Sequence, residues 1–106
     1  IDQNGRFWAI NYFWPGDKKI LKPAADPIAE TSGEGKTHQS SDVVERLIEF
    51  EIKDKIIKFS EHVPIQLELD KDSPRNWEGI VRIDDKGFLI ATDKHPEMIL
   101  GFVPIK

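Results

Sequence analysis

Much of this chain alternates apolar and polar residues with the two-residue period of half-buried strands. Residues 64–69 (PIQLEL) alternate strictly. A polar, Pro-containing turn over 70–75 follows, and then residues 76–83 (NWEGIVRI) read as the next strand. Residues 42–59 admit two readings. Asp42 and Glu45 form a capping box for a helix that would set Val44, Leu47, Ile48, Ile52, Ile56 and Phe59 on one face. As a hairpin, Val44, Ile48, Phe50 and Ile52 alternate with polar neighbours, Lys53, Asp54 and Lys55 turn, and residues 56–59 return. High β-branched content favours the hairpin.

A weak internal repeat organises these strands. Residues 1–11 (IDQNGRFWAIN) align with 83–93 (IDDKGFLIATD), where Ile, Asp, Gly and Ala coincide and Asn11 stands opposite Asp93. Both copies read as a strand end, a polar turn closing in Gly, and an apolar strand. Gly5 and Gly87 fall where a hairpin turn wants positive φ. Residues 47–50 (LIEF) also match 99–102 (ILGF). The two matches are offset by 82 and 52 positions, which places an inserted loop of about 30 residues at about 12–41 in the first copy.

Antiparallel strands at this spacing predict an all-β fold. The expectation is a partial β-propeller of about two four-stranded antiparallel blades occupying residues 1–106. With blade strands lettered A to D from the axis outward, residues 5–10, 44–52 and 56 onward supply B, C and D of one blade. Residues 79–83, 87–92 and 98–103 supply A, B and C of the next. Open sheet edges invite partners. The chain is therefore expected to be completed by the remainder of its propeller or by further copies of itself. The final blade stops at strand C, which suggests a C-terminal portion whose ring an N-terminal strand closes.

Composition narrows the class. The 106 residues include six Phe, three Trp and one Tyr, too many large apolar side chains for disorder. No apolar run reaches the length of a membrane span. A net charge of −4 argues against a general nucleic-acid binder. The lack of Cys excludes disulfides and thiolate metal sites. The chain opens on Ile1 with no charged-then-apolar leader, so either an upstream segment has been removed or it is a piece of something longer.

Residues 76–80 (NWEGI) followed by 83–94 (IDDKGFLIATDK) resemble a blade of the calcium-associated propellers: the esterase-like phytases, the SdiA-regulated proteins and the wider regucalcin-like group. The shared features are an acidic Glu-Gly pair before an apolar strand, then an Asp-x-x-Gly turn and a second strand. The resemblance implies a divalent ion held by acidic channel residues and orienting phosphate or ester oxygens. It also implies a periplasmic or extracellular location. It leaves open whether the propeller is a metal-assisted hydrolase or a non-catalytic module that binds a small-molecule ligand or a protein.

Blade geometry nominates the residues. Glu78 precedes strand A, while Asn11 and Asp93 end the two B strands, so all three are expected at one end of the channel. Their oxygens are hard ligands suited to Ca²⁺ or Mg²⁺. The alternative is that Glu78 is solvated and that Asn11 and Asp93 cap turns. The inserted loop would emerge at the same end, with Tyr12 and Trp14 as ligand-contacting aromatics and Trp77 beside Glu78 as a third. His38, on the insertion, and His95, in a turn before Pro96, are the candidate acid or base. An exposed turn histidine is the simpler role for both. The stretch Gly33-Glu34-Gly35-Lys36-Thr37 is not a phosphate loop, because Glu30 stands where that motif needs Gly. Ser40 and Ser41 lack the Gly-x-Ser-x-Gly elbow of a serine hydrolase.

Overall fold

In a computed structural model, residues 1–13, 24–40, 42–68, 75–93 and 97–105 are described, apart from the side chain of Thr37. Trp14 and His95 lie outside this set. The chain divides into two units, Ile1–Pro74 and Arg75–Lys106. About half of the described residues lie in antiparallel strands, and no sheet among them closes on itself. None of the described helices is long and apolar enough to cross a membrane.

The first unit is built around strand β2. Strand β1 (Arg6–Phe13) is followed by the short helices α1 (Pro27–Ser32) and α2 (Lys36–Ser40), then β2 (Val44–Lys53), β3 (Ile56–Phe59) and β4 (Ile65–Gln66). β1 pairs along one edge of β2, from Arg6↔Glu51 to Phe13↔Val44. β3 and β4 share the other edge and run in one direction, like a single strand interrupted over residues 60–64. Residues 42–59 are thus the hairpin that their β-branched content favoured. Its turn holds Asp54 and Lys55 at φ 54° and 65°, the two positive values that a type I′ connection requires. Both faces of β2 are buried over its first six residues, and Val43, Val44, Leu47 and Ile48 form the apolar core. Phe7, Phe50 and Phe59 stand in cross-strand register with ring centroids 5.4 and 5.3 Å apart. Each such pair contributes about 0.5–1.5 kcal/mol beyond the area it buries.

The described part of the insertion, expected as an irregular loop, differs from that expectation. Tyr12 and Phe13 extend β1, and residues 27–32 and 36–40 are helical. Asp26 caps α1 by accepting from the backbone N–H groups of Ile28 and Ala29, and Pro27 occupies the first helical position.

The second unit is a meander of β5 (Trp77–Ile83), β6 (Gly87–Thr92) and β7 (Leu100–Pro104), paired in that order. Trp77, Phe88 and Ile90 are its buried apolar side chains. The two repeat copies solve their turns differently. Gly5 does take positive φ, at 72°, but in the second turn the positive φ falls on Asp84 at 45°. Gly87 is required for another reason: a Cβ there would overlap the Val103 carbonyl oxygen on β7.

Candidate functional site

Side chains alternate across a strand, so Val44, Arg46, Ile48 and Phe50 share one face of β2. Their partners on β1 are Phe13, Asn11, Ala9 and Phe7. Arg46 is the one charged group in this stripe, and it is only 4% exposed. A guanidinium so placed must find acceptors or destabilise the fold. Two are present. Nε donates to Asn11 Oδ1, its cross-strand partner, and Nη2 donates to Asp26 Oδ1, each at 2.8 Å.

Asp26 therefore serves two structures with one carboxylate, capping α1 and neutralising Arg46. Its partial burial opposes ionisation. The hydrogen bond from Arg46, the backbone N–H groups of Ala29 and Ile28 and the charge of Arg46 outweigh that penalty, holding the carboxyl below its ordinary value.

Arg46, Asn11 and Asp26 lie beside a cavity of about 610 Å³ between the sheet face and residues 24–28, His38 and Asp42. Ala9, Ile48, Phe50 and Phe59 provide apolar lining, while His38 and Asp42 add polar groups. Two nitrogens here are shielded from solvent without a hydrogen-bond partner: Nη1 of Arg46 and Nδ1 of His38. An unmet buried donor costs about 1–3 kcal/mol. The other ring nitrogen of His38, Nε2, lies 3.7 Å from Glu34 Oε1.

Three residues nominated from the sequence meet at this cavity: Asn11, Tyr12 and His38. Asn11 arrives in a different role, its amide oxygen engaged by a cation rather than free for a metal. Tyr12 contributes to the lining, but its partner Glu45 places its side chain with the opposite face of the sheet. The remaining described nominees belong to the second unit. Trp77 is 7% exposed and packs over Gly101, where an added Cβ would come within 3.3 Å of its ring, so it is a core side chain rather than a ligand-facing one. Glu78 is the extra residue of a β-bulge, between Trp77↔Thr92 and Gly79↔Ala91. Its Oε1 accepts from Asn76 Nδ2 at 2.8 Å. Asp93 is exposed just past β6, at the same end of the β5–β6 pair as Glu78. Among the described residues, no three His, Asp or Glu side chains converge as a metal site would need.

Arg46 and Asp26 were not nominated. The signal for Arg46 was present, since it is the sole charged position in the alternating stripe Val44, Ile48, Phe50, Ile52. A strand face that is apolar except for one arginine marks a buried charge needing partners. Asp26 carried only the Asp-Pro signature of a helix start, which says nothing about Arg46.

Comparisons of the chain with protein families, with curated proteins and with solved structures find no match.

Proposed function

We propose that this chain supplies a non-catalytic binding site for a small ligand. Its two sheets are read as blades of an incomplete propeller of the esterase-like phytase, SdiA-regulated and regucalcin-like kind. The observation that carries the binding reading is Arg46: a guanidinium buried at an apolar cavity, with two donors satisfied and Nη1 unmet. A cavity of about 610 Å³ suits a small organic molecule, and a few convergent polar groups in apolar walls are what such sites use for orientation. In support of the blade reading, β5-β6-β7 is an antiparallel meander of sequential neighbours, and so is β1-β2-β3 within a first sheet in which β4 also returns to pair with β2. The remainder of the propeller, or further copies of the chain, would complete it. Native and denatured mass spectrometry tests the assembly: a companion chain or a closed oligomer is expected, and a clean monomer overturns the blade reading. Side-chain NMR of Arg46 during a small-molecule screen tests the site.

One observation favours a second reading. The register of β5 and β6 sets Glu78 and Asp93 at one end of their hairpin, as a divalent-ion site at a channel mouth would require. There Ca²⁺ (or Mg²⁺) would polarise a phosphate or ester group for hydrolysis. Titration with Ca²⁺ decides it: shifts at Glu78 and Asp93 that vanish in Glu78→Gln support the metal, and unchanged spectra remove it.

A further inference from the structure

The pairing of Arg46 identifies the class of ligand. Among the described residues that line the cavity, Arg46 is already paired: Asp26 Oδ1 sits 2.8 Å from its Nη2, and Asp26 is held ionised by that contact and by the α1 backbone. A phosphate or carboxylate entering to reach Nη1 would be set against the charge of Asp26, which cannot move away without releasing α1 and leaving Arg46 unpaired.

A neutral oxygen has no such conflict. A carbonyl accepts one hydrogen bond from Nη1 and leaves the Arg46–Asp26 pair intact. The walls point the same way. Phe50 and Phe59 are successive members of an aromatic row, and Phe59 remains 53% exposed, so a flat apolar body has rings to pack against.

We infer that the cavity takes an uncharged, carbonyl-bearing molecule with an aromatic or otherwise flat apolar body, its oxygen accepting from Arg46 Nη1. This inference rests on the reading of the cavity as a binding site, and the test separates the two.

The full chain is titrated with benzamide, benzoate, phenyl phosphate and toluene, which present one ring size with a neutral acceptor, one charge, two charges and no acceptor. Binding is followed by NMR at the Arg46 side chain and at the Ile48 and Phe59 signals. The expected result is benzamide binding at least about tenfold more tightly than the other three. Silence from all four probes overturns the binding-site reading itself. Preference for benzoate or phenyl phosphate keeps the site and overturns the neutral-ligand assignment. Toluene binding as well as benzamide overturns the Arg46 hydrogen bond. Asp26→Asn supplies the independent check, since it retains an oxygen for Arg46 while removing one negative charge. In that variant benzoate should gain on benzamide by about tenfold, and an unchanged ratio overturns the charge argument.

Discussion

Arg46 Nη2 donates to Asp26 Oδ1 at 2.8 Å, and that same oxygen accepts from the N–H groups of Ile28 and Ala29 at 3.2 Å. One carboxylate thus joins the start of α1 to the first residues of β2, at Arg46. The pair fastens the helical segment to the sheet and gives the cavity its second side.

Removing the carboxylate should be costly because both roles fail together. Asp26→Ala loses a helix cap and leaves a buried guanidinium without its counter-charge. A loss of about 2–4 kcal/mol is expected in urea unfolding, toward the lower end because Asp26 is partly exposed. Asp26→Asn keeps an oxygen for the cap and should lose about 1–2 kcal/mol.

The same pair makes stability depend on acid. The folded-state pKa of Asp26 is depressed, so its contribution is fully present above the ordinary carboxylate range and is lost as pH falls below it. NMR signals of Ile28 and Ala29 should report loosening of α1 as pH drops through and beneath that range. Asp26→Asn should flatten this part of the profile.

Gly87 faces β7 so closely that a methyl group would meet the Val103 carbonyl and the Phe102 ring. Gly87→Ala should destabilise the β6–β7 pairing by about 1–3 kcal/mol, seen as faster amide exchange at Leu89 and Phe102. Gly79→Ala is the control: its Cβ would lie 3.7 Å from that of Ala91, an ordinary contact. Little change, or a gain of a few tenths of a kcal/mol, is expected there.

The β2–β3 turn holds two non-glycine residues in the left-handed region, Asp54 and Lys55. Lys55→Gly relieves one of these strains and should raise stability by about 0.5–1 kcal/mol in thermal or urea unfolding. A loss of stability would show that the Lys55 side chain makes a compensating contact.

Short-range chemistry is what made the fold class readable. A period of two, β-branched content and polar turns place strands wherever a face must be buried, and they act over a few residues at a time. The hairpin of residues 42–59 and the meander of 77–104 both follow from such rules. Asn11 and His38 were legible as polar residues near the ends of apolar strands or on the insertion. The role of Asn11 was not, because its partner Arg46 is 35 residues away and only strand register brings them together. Asp26 is 20 residues from Arg46 and reaches it only after the chain folds back to bring the start of α1 to β2. Trp77 erred in the opposite direction: an aromatic beside an acidic residue looks like a ligand contact until Gly101 on β7, two strands away, opens a place for it in the core. Alternation assigns a residue to a face, whereas partners across a sheet depend on register and on how intervening chain returns. Those contacts are long-range, and they decide which polar group is structural and which is left free to bind.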